Sequence, residues 1–343
     1  MKQHLNTLFV TTDGAYLRKD GQAVAVRVEK ETRLRIPLHN LDGIVCFGRV
    51  GCSPQLMEAC AKSGVTISLL SQYGGFRASI VGFTPGNVLL RRAQYRKSDD
   101  EPACCVIATN MVAAKIANCR AVLLRAIRES PHAVNKQSLE EVAQRLEQMI
   151  PEAKQATSLD RLRGIEGDGA NQYFSVFSRL VNVPDKEFHF VGRSRRPPLD
   201  RVNALLSFLY SMLAHDARSA CEATGLDAAV GFLHRDRPGR PGLALDLMEE
   251  FRPFIVDRLV LSLINRRQVS VNGFDVSPSG AVMMNDKTRR VVLAAFQKRK
   301  QDAITHPFLG DKSSVGLLVH LQARLLARHI RGDLDTYPPF LWR

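Results

Sequence analysis

The spacing of apolar residues changes near residue 90. Before it, Ala23-Val24-Ala25-Val26-Arg27-Val28 and Leu34-Arg35-Ile36 carry the two-residue period of half-buried strands, so residues 5–70 predict a mainly β region. Asp13-Gly14 and Asp20-Gly21 are dipeptides that favour tight hairpin turns. Ser53 followed by Pro54 has the chemistry of a helix N-cap and first helical residue, which predicts one short helix before a strand over 65–70. Gly74-Gly75 and Pro85-Gly86 mark further loops. After residue 90 the apolar positions recur at three and four, predicting helices within 104–127, 139–150, 159–180, 202–220 and 315–330. Strands first and helices afterwards make an α+β chain: a β-rich N-terminal domain over 1–90 and a mainly α-helical domain over 91–343.

One helical pattern carries candidate chemistry. Leu247, Phe251, Ile255, Leu259 and Leu263 recur every four residues and predict a buried stripe. Ahead of it, Pro238-Gly239 and Pro241-Gly242 turn the chain back, which can bring His234 beside the helix start. Asp246, Glu249 and Glu250 lie off the stripe, and residues three or four apart share a helix face, so Asp246 can sit beside either glutamate. Pro253 has no N–H for the carbonyl of Glu249, so the helix is expected to loosen just after that residue. An imidazole with carboxylates suits Mg2+ or Mn2+ and, less exclusively, zinc. Glu166, set among Gly164, Gly167 and Gly169 in a segment anchored by Tyr173, Phe174 and Phe177, is the candidate third ligand. The plainer alternatives are carboxylates that answer a helix dipole, a structural histidine and a solvated glutamate.

Composition narrows the partner. At 343 residues with 45% hydrophobic positions, the chain can build two cored domains. Seven cysteines with no C-x-x-C pair fit reduced thiols in a cytoplasm. The apolar runs look too short for a membrane span and the first residues lack a signal-peptide core, so a soluble cytoplasmic protein is expected. A net charge of +14 points to an anionic polymer. Arg193, Arg195 and Arg196, on a loop stiffened by Pro197-Pro198, suit phosphate contact, with Arg235 and Arg290 as further candidates. Arg252 could either join them or orient a nearby carboxylate. Lys287, Arg289, Arg290, Lys298, Arg299 and Lys300 form another basic cluster, and Arg324, Arg328 and Arg331 share one face of the last predicted helix.

Several motifs then fall into a known order: Gly164-Ile165-Glu166-Gly167 with Tyr173; Arg196-Pro197-Pro198-Leu199-Asp200 with Asn203, Leu205, Leu206 and Tyr210; Gly225-Leu226-Asp227; Gly231-Phe232-Leu233-His234; and Asp246-Leu247-Met248-Glu249 with Phe251-Arg252-Pro253 and Asp257. In order and spacing the chain resembles the CRISPR-associated spacer-acquisition integrase and endonuclease family, the first universal CRISPR-associated protein. Its opening HLNTLFVTTDGAYLRKDG and closing QARLLARHIRGDLDTYPPFLWR resemble the branch that accompanies subtype I-C systems. The resemblance implies that Glu166, His234 and Glu249 hold Mg2+ or Mn2+, and that Asp246 supports or contributes to that catalytic site. Glu250 stands where many relatives have proline. Also implied are transesterification, in which the 3'-hydroxyl of protospacer DNA attacks a phosphodiester at the edge of a CRISPR repeat, and cleavage of branched DNA. A homodimer formed through the β-rich domain, and assembly with the small second universal CRISPR-associated protein, follow from the same likeness. The competing expectations are a zinc-dependent hydrolase, for which no H-E-x-x-H or paired-cysteine signature is present, and a non-catalytic DNA-binding scaffold.

Overall fold

The structure, a computed structural model, describes residues 7–41, 43–72, 76–82, 88–129, 133–184 and 187–342. The Gly74-Gly75 and Pro85-Gly86 loops, and the first residues of the opening stretch, lie outside them. By compactness the chain divides into two units, Met1–Pro85 with Asn285–Lys300, and Gly86–Met284 with Gln301–Arg343.

The first unit contains β1 (Thr7–Val10), β2 (Tyr16–Asp20), β3 (Ala23–Val28), β4 (Glu31–Pro37), β5 (Gly43–Phe47), β6 (Gly51–Cys52), α1 (Pro54–Ser63), β7 (Thr66–Leu70) and β8 (Phe76–Ile80). They form two four-stranded sheets, ordered β1-β5-β7-β8 and β4-β3-β2-β6. Asp20-Gly21 makes the expected hairpin, with Asp20 opposite Ala23 and Tyr16 opposite Arg27. Asp13-Gly14 does not. It turns the chain, with Gly14 at φ 74°, but β1 pairs in parallel with β5, while β2 belongs to the other sheet. The turn fixes a reversal and leaves the choice of partner to long-range packing; Asp13 is spent on Arg49, whose backbone N–H and guanidinium both donate to it. Ser53 caps α1 by accepting the N–H of Leu56 at 3.3 Å, and Gly64 closes the helix in the left-handed conformation. Leu17, Val24, Ile44, Leu56, Cys60 and Ile67 lie in a core drawn from both sheets and α1.

The second unit is mainly helical: α2 (Val88–Ser98), α3 (Glu101–Glu129), α4 (Ala133–Lys154), α5 (Leu159–Ser175), α6 (Arg201–Thr224), α7 (Gly242–Glu249) and α8 (Arg258–Asn265), then the short hairpin β9 (Phe274–Val276) and β10 (Val282–Met284). Next comes α9 (Asp286–Gln301), which returns to the first unit. The second unit resumes with β11 (Ala303–Thr305), β12 (Lys312–Ser314) and α10 (Leu318–Arg331). The predicted helical segments are all present. The missed helices, α2 and α9, have sequences too basic to show an apolar period. This is the predicted α+β order, β-rich first and mainly helical afterwards.

α3 packs against α4, α5 and α7. It corrects the expectation drawn from apolar runs, since by length and composition it could cross a membrane; 67% of its most apolar window is nevertheless buried inside the protein, as in a core helix. The basic cluster on α9 is also thinner at the surface than its sequence suggests. Arg289 is buried, donates to the carbonyl of Gln72 and lies 5.9 Å from the Phe47 ring centre, and the buried Lys300 sits over Phe296.

Candidate active site

Asp246, on α7, is fully buried and takes hold of the loop before it. Its Oδ2 accepts the backbone N–H of Phe232 at 2.6 Å and of Leu233 at 3.0 Å. Its Oδ1 accepts the N–H of His234 at 3.0 Å and faces the ring nitrogen Nδ1 at 2.6 Å. Such a pairing fixes an imidazole's orientation and leaves Nε2 for an outside partner. Asp246 thus serves the histidine and its loop, not a neighbouring glutamate. The fit leaves no room for a side chain: a Cβ on Gly231 would come 2.6 Å from Asp246 Oδ2, and one on Gly242 would come 2.7 Å from the carbonyl of Ala229. From α5, Arg163 donates to the carbonyl of Leu233 at 2.7 Å, which ties the helix bearing Glu166 to the loop bearing His234.

Glu249 ends α7 where the sequence anticipated. The proline at 253 lies at the start of a wide, π-helical turn over Arg252–Asp257, at whose end the N–H of Arg258 reaches back five residues to the carbonyl of Pro253. The stripe from Leu247 to Leu263 stays buried across this change of pitch.

Glu249 is 2% exposed and has cations on both oxygens: Arg252 Nη2 lies 3.0 Å from Oε1 and Lys115 Nζ lies 2.6 Å from Oε2. Lys115, from the middle of α3, also pairs with Glu166. Two carboxylates far apart in sequence therefore converge on one ammonium. Burial pushes the Glu249 carboxyl up, but Arg252, Lys115 and His234 outweigh it and hold the group below the ordinary carboxylate range. Burial would likewise strip the proton from Lys115; Glu249 and Glu166 reverse that and raise its pKa.

Lys115 is the member of this cluster that sequence reasoning missed. A signal was there: it shares the α3 face of Met111, Val112 and Cys119, all buried, and so is a lysine on an apolar stripe.

Glu250 lies outside this cluster. Its buried carboxylate accepts from the hydroxyl of Tyr337 at 2.7 Å, from Gln322 Nε2 at 3.0 Å and from the N–H of Phe340 at 2.7 Å. Asn118 reinforces the same tail: its Nδ2 donates to the carbonyls of Glu250 and Phe340, and its Oδ1 accepts the N–H of Trp342.

The candidate arginines divide into two groups. Arg193 is wedged between Phe174 and Tyr210, 5.6 and 5.3 Å from the ring centres, and donates to Asn203 Oδ1. Arg252 is committed to Glu249 and to the Tyr210 ring at 5.1 Å. Both guanidinia are half-buried and each already has an internal partner. Arg195, Arg196, Arg235 and Arg290 are exposed, with Arg235 resting on Asp160 at 2.7 Å.

The donors suit a divalent ion in kind: two carboxylates, an oriented imidazole, and at Glu249 Oε2 a buried oxygen with a charge beside it but no well-directed hydrogen bond. In this arrangement Lys115 stands between the carboxylates, and among the described residues no three His, Cys, Asp or Glu side chains close into a finished metal cluster.

A basic chain with two carboxylates, one buried and one half-buried, gathered on a cation, and a histidine close enough to act on one of them electrostatically, is equipped as an enzyme acting on phosphodiesters. The chain matches the family described as CRISPR associated protein Cas1 over residues 8–298. It is 53% identical over 343 residues to a CRISPR-associated endonuclease Cas1 of Chlorobaculum tepidum, covering 100% of both chains. In fold it is similar to a casposase bound to integration product, with a TM-score of 0.83, 23% identity and coverage of 99% of this chain and 95% of that one. It is similar also to a chain of a Cas6-RT-Cas1–Cas2 complex, with a TM-score of 0.83, 22% identity and coverage of 99% of this chain and 36% of that longer one. The chain belongs to the Cas1 family, whose curated relatives are CRISPR-associated endonucleases.

Proposed function

We propose that Glu166, His234 and Glu249 hold Mg2+ or Mn2+, and that at this site the 3'-hydroxyl ends of protospacer DNA are joined to the CRISPR array by transesterification. The observation that carries this reading is the convergence of Glu166 and Glu249 on one cation, beside a histidine whose Nδ1 is held by Asp246. When bound, a divalent ion supplies Lewis acidity toward a phosphate oxygen and the incoming hydroxyl. The chain's own residues do the rest. Asp246 holds His234 by Nδ1, Arg252 pairs with Glu249 Oε1, and Arg163 holds the His234 loop against α5. In the reaction the 3'-oxygen bonds to phosphorus as the bond from phosphorus to the displaced strand's oxygen breaks; the proton lost by one oxygen is made up on the other. With water in place of the 3'-hydroxyl the same exchange is nuclease cleavage.

Arg195, Arg196, Arg235 and Arg290, being exposed, are proposed to meet duplex or branched DNA at its phosphates. The family likeness supports a homodimer formed through the β-rich unit, assembly with the second universal CRISPR-associated protein, a cytoplasmic setting and the branch found with subtype I-C systems.

The test replaces Glu166 and Glu249 by glutamine and His234 by alanine. Strand transfer is expected to fall by about 100-fold or more, with DNA binding and the circular-dichroism spectrum unchanged; undiminished strand transfer in all three variants would overturn the site. Metal-stripped protein should regain activity with Mg2+ or Mn2+, whereas recovery with zinc alone would favour a zinc hydrolase.

A further inference from the structure

We infer that Lys115 is the site's built-in counter-cation: its ammonium occupies the position between Glu166 and Glu249, and it must give up a carboxylate before a divalent ion can settle there. This rests on the proposed metal site and adds to it a residue that competes with the ion.

The side chain of Lys115 is 8% exposed and leaves an apolar stretch of α3 to reach Glu249 Oε2 at 2.6 Å and Glu166 Oε1. An ammonium is strongly disfavoured in such surroundings unless paired, and two carboxylates from different helices would repel each other there without a cation. Each explains the other. The count of charges sets the consequence: Lys115 and Arg252 balance Glu166 and Glu249 one for one, so these four groups together are neutral as they stand. An added divalent ion leaves two uncompensated positive charges in a buried place. A DNA phosphate supplies one of the two missing negative charges, and gives the displaced ammonium a new partner. Ion and DNA should therefore bind better together than separately, and Lys115 should be the source of that coupling.

The experiment titrates Mn2+ into metal-free full-length protein by calorimetry, with and without a short duplex carrying a 3'-hydroxyl end, and compares the original chain with Lys115→Met, Lys115→Arg and Glu249→Gln. Without DNA, Lys115→Met should bind Mn2+ about tenfold or more tightly than the original chain, melt at a lower temperature when metal-free, and lose most of the strengthening that DNA brings. Lys115→Arg keeps the charge and should bind no more tightly than the original. If Lys115→Met does not fold, Lys115→Gln takes its place, with the same direction expected. Equal or weaker Mn2+ binding after removal of the charge, with Glu249→Gln still abolishing binding, overturns the role of Lys115 and leaves the metal site standing. Binding in every variant no different from that of Glu249→Gln overturns the metal site itself.

Discussion

Two buried aspartates of the second unit show how differently one side chain can be used. Asp246 spends both oxygens on N–H donors from the His234 loop. Asp246→Asn puts an amide donor where an acceptor is needed, so it should cost about 1–3 kcal/mol of stability and about 10–100-fold in strand transfer, checked by thermal melts and a joining assay. An unchanged rate would mean that His234 does not depend on this partner. Asp257, which accepts from the hydroxyl of Tyr210, is raised from the ordinary 3.8 to about 6, because burial outweighs that hydrogen bond and the charge of Arg193. Its sign is the reverse of a surface carboxylate's. The folded chain keeps the proton up to about pH 6 while the unfolded chain loses it near 3.8, so the stability this group contributes is complete below the lower value and is lost as pH rises through the upper one. Asp257→Asn should remove that part of the slope; melting curves of variant and original that run parallel from pH 4 to pH 7 would contradict it.

At the scale of elements, the wide turn after α7 decides how Glu249 and Arg252 are presented. Pro253→Ala restores an N–H able to bond the carbonyl of Glu249 and lets the turn tighten to α-helical pitch. We expect strand transfer to fall by about tenfold while the melting temperature moves by less than about 4 °C; an unaltered rate would show that the proline does not set the geometry. This turn was readable in the sequence, as were Ser53, Pro54 and the Asp20-Gly21 hairpin, because each is dictated by atoms a few residues apart. His234 and its neighbourhood were readable too, since the Pro-Gly steps and α7 are contiguous. Other features depended on partners that spacing does not reveal. Asp13-Gly14 looks like a hairpin turn, yet the strand after it pairs elsewhere. Lys115 meets its carboxylates from positions 166 and 249, and Glu250 finds its donors at 322, 337 and 340. A buried charge is intelligible only with its partner, and here the partners come from distant helices and a tail.

For the whole molecule, the excess of +14 is an electrostatic property that the fold distributes unevenly. Arg289 and Lys300 are buried and Arg193 and Arg252 half-buried, whereas Arg195, Arg196, Arg290, Arg324, Arg328 and Arg331 remain exposed. Replacing Arg195 and Arg196 together by glutamate should weaken DNA binding and flatten its dependence on salt by about one logarithmic unit for each phosphate that is no longer neutralised; an unchanged slope in a salt titration would exclude that loop from the interface. The return of α9 to the first unit has a temporal side. A ribosome adding about 5–20 residues per second needs about 10–40 s to travel from residue 85 to residue 285. Throughout that interval the nascent sheets exist without Arg289 on the Phe47 ring or the Gln72 carbonyl. The part of the chain that emerges first is thus among the last to be completed, and a fragment cut at residue 85 would resemble a paused translation intermediate more than a domain.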